Sequence, residues 1–254
     1  MYPDIFNISG KKAIVTGGSG GLGSGMAQAL IECGVETVII GSSGKAEAMA
    51  AEYRENGYNV WAVRANIADR EELDRSFAEA LEKLGGKVDI MLNSAGIQRR
   101  HASEKFPLED WDQVIEVNLT ATFRYCQLAA NEMLKQGGGK IINVASMLSF
   151  FGGFSVPAYA ASKGGVAQLT KALANEWAGK GINVNAIAPG YMDTPLNTNI
   201  INDPVRNEEI TKRIPQHRWG TGDDMKGITI FLASAASDYV NGAIIPVDGG
   251  YLGR

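Results

Sequence analysis

The chain of 254 residues carries only two cysteines and two histidines. Cys33 and Cys126 form no C-x-x-C pair, and neither they nor His101 and His217 show metal-ligand spacing. No bound metal and no zinc-dependent dehydrogenase chemistry is therefore expected, and the two thiols read as reduced, buried side chains. No apolar run approaches the roughly 18 residues of a membrane span. Met1-Tyr2-Pro3-Asp4-Ile5-Phe6 lacks the basic-then-apolar pattern of a secretory signal. A net charge of −4 supplies neither the basic face that nucleic acid requires nor a polybasic membrane patch. These absences lead us to expect a cytoplasmic protein with no nucleic-acid or membrane partner. There is no repeat, low-complexity segment or linker, so residues 1–254 are expected to form a single domain.

What is present alternates. Short apolar runs at 13–15, 38–40, 60–63, 90–92, 141–144, 184–187 and 243–247 are separated by helix-like stretches at about 21–33, 45–56, 70–84, 107–136, 158–179 and 223–235. The early runs are continuous and rich in β-branched residues, as in strands buried on both faces. The expected fold is α/β: a single Rossmann-like, doubly wound domain with a central parallel sheet of about seven strands and helices on both faces. Residues 189–220 show no clear periodicity and hold Pro189, Pro195, Pro204 and Pro215. A long irregular segment in a compact domain is usually functional, so a substrate lid is expected there, a plain surface excursion being the alternative.

Thr16-Gly17-Gly18-Ser19-Gly20-Gly21-Leu22-Gly23 follows the first strand and opens the first helix. Glycines permit a tight turn and close backbone approach to a pyrophosphate, which a helix N-terminus attracts. Gly17, Ser19, Gly20, Gly21, Leu22 and Gly23 are thus candidate cofactor contacts. The second strand ends Ile40-Gly41-Ser42-Ser43-Gly44-Lys45, without the acid that usually holds the ribose hydroxyls of NAD. Lys45 either reaches a 2′-phosphate or is a solvated helix-start residue. The turn by itself leaves NAD and NADP open.

Tyr159 and Lys163 stand four residues apart at the start of a helix and so share one face. An unperturbed phenol titrates near 10. A neighbouring cation favours the phenolate and moves the group toward general acid/base work. Ser146, just after the fifth strand, is placed to hydrogen-bond a reacting oxygen, because α/β sheets put ligands at the carboxyl ends of their strands.

With these residues assembled, the chain resembles the short-chain dehydrogenases/reductases over essentially its whole length. The resemblance is carried by residues 16–23, Asn93-Ser94-Ala95-Gly96, Asn118, Ser146, Tyr159, Lys163 and Pro189-Gly190. It implies a homotetramer in which Tyr159 moves the proton and Ser146 holds the carbonyl or hydroxyl. It implies also that Lys163 binds the nicotinamide ribose and lowers the Tyr159 pKa, and that Asn118 holds a water leading to Lys163. Asn93, Ala95, Gly96, Pro189, Gly190, Met192 and Thr194 would line the cofactor site together with Gly41, Ser42, Asn66 and Ile67. Asn66 replaces an acid often found near the adenine, and Ser94 replaces a second asparagine.

Basic residues gather near this site as Arg99-Arg100-His101 and His217-Arg218. A guanidinium fork suits a carboxylate, so a small anionic substrate is expected, with Arg99 as its contact. Arginines paired with acids such as Glu104 or Asp110, or with a neighbouring subunit, are the alternative. Residues 141–150, 174–177, 188–192, 213–215, 218–220 and 237–242 resemble the 2-deoxy-D-gluconate 3-dehydrogenase, or 2-dehydro-3-deoxy-D-gluconate 5-dehydrogenase, branch of the family. That resemblance implies a sugar-acid substrate in uronate catabolism, NAD(H) as cofactor with NADP left open, and Met147 and Tyr191 bordering the substrate. It leaves open whether Arg254 reaches an active site. A 3-oxoacyl-thioester reductase or another polyol or gluconate dehydrogenase is the alternative on the same scaffold, and a non-catalytic dinucleotide sensor is the alternative of another class.

Overall fold

Alternate residues of the central strands face opposite sides of one sheet, and both sides are apolar. The computed structural model describes residues 2–253; Arg254, whose reach toward a site was left open above, lies outside them. Strands β1 (Lys12–Thr16), β2 (Glu36–Gly41), β3 (Val60–Arg64), β4 (Ile90–Asn93), β5 (Gly139–Val144), β6 (Ile182–Pro189) and β7 (Ile244–Val247) form one parallel sheet in the order β3-β2-β1-β4-β5-β6-β7. Ile14, Val38, Met91, Ile141 and Val184 face one core, and Val15, Ile39, Leu92 and Ile142 face the other. The continuous apolar runs follow from that two-sided burial.

Helices α1 (Gly21–Glu32) and α2 (Lys45–Glu55) cover the second core with Met26, Leu30, Ala46 and Ala50. Helix α3 (Arg70–Lys83) covers the first with Leu73 and Phe77, its N-terminus capped by the Asp69 carboxylate, which accepts from Glu71 and Glu72 N–H. The helix expected over 107–136 is divided. Helix α4 (Leu108–Ile115) passes through a π-helical turn at Glu116–Thr120 into α5 (Ala121–Gln136). Helix α6 (Pro157–Trp177) starts with a proline in its first turn, where no intrahelical N–H is needed.

The segment expected to be irregular contains two helices, α7 (Thr198–Ile201) and α8 (Pro204–Arg213). Asp203 caps α8 by accepting from Val205 and Arg206 N–H at 3.1 and 3.2 Å. The last major helix, α9 (Lys226–Ala233), packs on the second core through Leu232. Among the described residues no helix is long and apolar enough to cross a membrane.

Strand β1 pairs with β2 on one side and β4 on the other, so the chain winds outward in both directions from the β1/β4 boundary. A crevice opens at the carboxyl ends of the strands where winding reverses. Both glycine-containing loops, after β1 and after β4, lie there.

Candidate active site

The turn after β1 is built by contacts that only glycine permits. Gly17 has φ +68°, and a Cβ there would lie 2.7 Å from the Ala95 Cα. A Cβ on Gly23 would lie 2.2 Å from the Gly17 carbonyl oxygen. The loop, the first turn of α1 and the Ala95 backbone are thus in direct contact. Gly20 differs: a Cβ there meets nothing within 4 Å, because the position faces open space. Gly20 is also the N-cap of α1 and offers no side-chain cap, so the helix N-terminus is left to an external acceptor.

That open space is a cavity of about 360 Å³. Gly17, Ser19, Gly20, Gly21, Leu22 and Gly23 line it together with Gly41, Ser42, Ser43 and Lys45, Gly41 lying against Ser19. Ala95 and Gly96 follow, then Ser146, Tyr159 and Lys163, with Pro189, Gly190, Met192 and Thr194 opposite. The glycine cradle at one end and the acid/base residues at the other fit an extended dinucleotide, whose nicotinamide supplies a hydride donor or acceptor when bound. Ser43, Ser94, Val144, Ala145 and residues 195–197 also line the cavity and were not named as cofactor contacts from sequence. Their signal was adjacency to named residues.

Ser146 follows β5 in extended backbone, and its Oγ accepts from Leu148 N–H at 3.1 Å. Tyr159 and Lys163 share one face of α6, with the Lys163 Nζ 5.7 Å from the phenol ring centroid. The ammonium donates to the Val144 carbonyl at 2.6 Å. Burial holds Lys163 down, to about 8. Burial also raises Tyr159, and a hydrogen bond with Ser146 partly offsets it. The cation was expected to lower the tyrosine. Here desolvation opposes charge on both groups, so the phenol is the resting form.

Lys163 carries a stability consequence. Its pKa falls from 10.5 in the free side chain to about 8 in the fold, so between those values the unfolded chain binds more protons and stability rises with pH. Below pH 8 the full cost of burying the charge is present. Lys163→Met is therefore expected to stabilise the protein at pH 7 by on the order of 2 kcal/mol, an advantage that fades as pH approaches 10. Urea melts at the two pH values measure it. A variant less stable than the parent at pH 7 would contradict the assignment.

Asn118 lies fully buried in the π turn. Its Oδ1 accepts from Ile97 N–H at 2.8 Å, and its Nδ2 donates to the Ile97 carbonyl at 2.9 Å and to Ser162 Oγ at 3.1 Å. The carboxamide clamps the loop after Gly96 and has both hydrogens committed to protein.

Several expected contacts lie elsewhere. Asn93 points beneath the sheet end, its Nδ2 donating to Asn143 Oδ1 at 2.9 Å and to Cys126 Sγ at 3.3 Å. It shapes the floor rather than the cofactor wall. Asn66 accepts from Ala68 N–H in the turn after β3, and Ile67 packs on the core; neither lines the cavity. Met147 is buried against Ile200, Ile210, Ile214 and Tyr251. Tyr191 stacks edge-on to Trp219 and Tyr251, each at 5.4 Å. Both residues pack in one cluster with Ile200 of α7 and Ile210 of α8, outside the main cavity.

The arginines divide by one position. Arg99, the expected substrate contact, pairs with Asp110 at 3.3 Å and donates to Gln113 Oε1 at 2.7 Å, the paired alternative. His101 meets the same aspartate at 2.6 Å. Arg100 donates only to neutral groups, the Phe154 carbonyl and Ser155 Oγ, both at 3.1 Å. Among the described residues no carboxylate pairs with it. Arg100 is solvent-exposed, yet the surrounding protein, and then Arg206, holds its pKa below the usual value.

A family model described as short chain dehydrogenase matches residues 11–204. The chain belongs to the short chain dehydrogenase family. It is an oxidoreductase acting on CH–OH groups. It is 49% identical over 253 residues to a 2-dehydro-3-deoxy-D-gluconate 5-dehydrogenase of Bacillus subtilis (strain 168), covering 99% of this chain and 98% of that one. It is 38% identical to a 5-keto-D-gluconate 5-reductase of Escherichia coli (strain K12), with 98% of each covered. The crystal structure of a gluconate 5-dehydrogenase from Burkholderia cenocepacia J2315, in complex with NADP and tartrate, superposes with a TM-score of 0.95 at 38% identity and covers all of both chains. This dehydrogenase thus shares its fold and chain length with proteins named for sugar acids.

Proposed function

We propose that this dehydrogenase interconverts a ketone and a secondary alcohol on a small sugar acid of the 2-keto-3-deoxygluconate or 2-deoxygluconate type, in uronate catabolism. The observation carrying the reading is the placement of Ser146, Tyr159 and Lys163 at one end of a cavity whose other end is the glycine cradle. In reduction, Tyr159 Oη–H gives its proton to the oxygen that becomes the alcohol, while Ser146 Oγ–H donates to that same oxygen. In oxidation the phenolate takes the proton back. The Lys163 ammonium, close to the ring, favours the phenolate when it forms. Asn118 keeps the loop after Gly96 at the side of Lys163.

NAD(H) is the proposed cofactor, with NADP(H) accepted. No carboxylate stands at the end of β2 to reject a 2′-phosphate, and Lys45 lines that end of the cavity. NADP in the Burkholderia structure supports acceptance of the phosphate.

The substrate carboxylate meets Arg100, which sits beside Arg99 and has no acidic partner among the described residues. A charge-assisted hydrogen bond of this kind contributes about 1.5–3 kcal/mol. Arg100→Gln is expected to raise KM for the sugar acid roughly 10- to 100-fold with little change in kcat, and to leave KM for the dinucleotide as it was. Steady-state kinetics on the variant decide it. An unchanged KM for the acid removes Arg100 from the substrate site. Turnover of an acyl thioester in place of free sugar acids would replace the substrate class altogether.

Residues 189–220 act as the lid. Residues 194–197 already line the cavity, and α8 is tied to its far end by Trp219 Nε1, which donates to Asn207 Oδ1 at 2.8 Å. Cofactor plus sugar acid should slow proteolysis within 195–213 at least several-fold; unchanged cleavage counts against closure. Assembly is proposed to be a homotetramer, as in the family resemblance. Exposed Phe123 and Leu134 on α5 are available for burial, and sedimentation velocity of the full chain tests the stoichiometry.

A further inference from the structure

The three residues of the proton machinery come from two elements, and the chain between them is a poor spacer. Ser146 follows β5, whereas Tyr159 and Lys163 ride on α6. The intervening segment contains Gly152-Gly153, Phe154 at 94% exposure and Ser155 in left-handed backbone at φ +58°. Nothing so exposed can fix the separation between a serine hydroxyl and a phenol to the fraction of an ångström that proton transfer needs. The separation is instead set by cross-ties between the strand end and the helix.

One tie is the Lys163 ammonium on the Val144 carbonyl. Asn143 Nδ2 on Thr170 Oγ1 is a second, deeper in the sheet, and the third, nearest Ser146, is Ser149. Its Oγ donates to the Lys163 carbonyl at 2.7 Å and accepts from Ser146 N–H at 3.3 Å. One hydroxyl therefore joins the backbones of two residues of the acid/base machinery. Ser149 also ends the 3-10 turn Met147–Ser149, whose start Ser146 caps with its own hydroxyl. The two serines brace each other, and the brace is anchored on α6. A carbonyl oxygen has two lone pairs, so the Ser149 bond does not displace the helical bond of Lys163.

We propose that Ser149 is a positioning residue, whose hydroxyl ties Ser146 to the Lys163 turn of α6 and so sets the distance between Ser146 Oγ and Tyr159 Oη. The proposal rests on the reading of Tyr159 as acid/base and is independent of substrate identity. Loss of the tie removes the only side-chain acceptor for Ser146 N–H among the described residues and frees the turn to drift from the phenol. The hydrogen bond from Ser146 favours the Tyr159 phenolate, so its weakening should push the phenol further up.

The test compares Ser149→Ala, Ser149→Thr and Tyr159→Phe in the full chain, on any secondary alcohol that the parent oxidises, across pH. For Ser149→Ala, kcat is expected to fall about tenfold or more, with KM for the dinucleotide within about twofold. The midpoint of the rise of kcat with pH should move upward by roughly one unit. Ser149→Thr keeps a hydroxyl and should restore most of the rate and the parental profile. Parental kcat and pH profile in Ser149→Ala overturn the proposal, as does a loss that Thr fails to rescue and that tracks a lower melting temperature. Tyr159→Phe separates the failures. Full turnover in that variant sinks the acid/base reading, whereas an inactive Tyr159→Phe beside an unaffected Ser149→Ala sinks only the tie.

Discussion

Tyr159→Phe should lower kcat by about 10²- to 10⁴-fold while dinucleotide affinity stays within about threefold. The phenol is the one ionisable hydroxyl at the Ser146 end of the cavity, and the substitution removes its proton and nothing else of consequence to the packing. Tyr159 is a half-buried neutral group, its pKa raised chiefly by desolvation. Loss of the hydroxyl leaves no charge stranded, and stability should change little. The cofactor contacts offered by the glycine turn lie at the other end of the cavity, which is why binding and chemistry separate in this variant. Stopped-flow or steady-state turnover together with fluorescence titration of the dinucleotide gives both numbers. A variant that loses affinity in step with kcat would place Tyr159 in binding and not in proton transfer.

Gly23→Ala should have the opposite signature. A Cβ at this position lies 2.2 Å from the Gly17 carbonyl oxygen and 2.8 Å from Ser94 Oγ, and the carbonyl is backbone that cannot rotate away. The first turn of α1 must move off the glycine turn, carrying with it the N–H groups that face the cavity. Overpacking of this kind costs about 1–3 kcal/mol of stability. The larger loss is in pyrophosphate binding, because the donors lose their convergence. Dinucleotide Kd is expected to weaken by about 100-fold or more, two tenfold steps of roughly 1.4 kcal/mol each. Calorimetric titration measures it, and an unchanged Kd would show that the turn does not hold the pyrophosphate.

The sheet was legible because its strands are buried on both faces, so Val38-Ile39-Ile40 and Ile90-Met91-Leu92 show as unbroken apolar runs with no amphipathic disguise. The glycine turn was legible because its residues answer to local backbone geometry. Helix α8 was not. Its face is largely polar, with only Ile210 buried, and the prolines around it suggested breaks. Asp203-Pro204 as cap and first turn, with Lys212 and Arg213 in the last, was the signal available. The π turn at Glu116–Thr120 was hidden because one extra residue per turn barely disturbs apolar spacing over a stretch as long as 107–136.

The site was legible as a set of residue types and less so as a set of environments. Tyr159 and Lys163 could be placed on one helical face from their spacing. Burial, which decides the direction of both pKa values, belongs to the folded chain. Arg99 and Arg100 are adjacent in a loop without periodicity, and nothing in the sequence states which of them turns to Asp110. Asn93 sits at a strand end, where a one-residue alternation sends the side chain below the sheet instead of into the crevice.

The most direct test follows reduced nicotinamide absorbance while the purified protein is offered 2-keto-3-deoxygluconate, 2-deoxygluconate, gluconate and an acetoacetyl thioester, each with NAD(H) and NADP(H). Turnover of a deoxy sugar acid with NAD(H), abolished by Tyr159→Phe and weakened in KM by Arg100→Gln, is the expected result. Turnover confined to the thioester, or full activity without the Tyr159 hydroxyl, would contradict it.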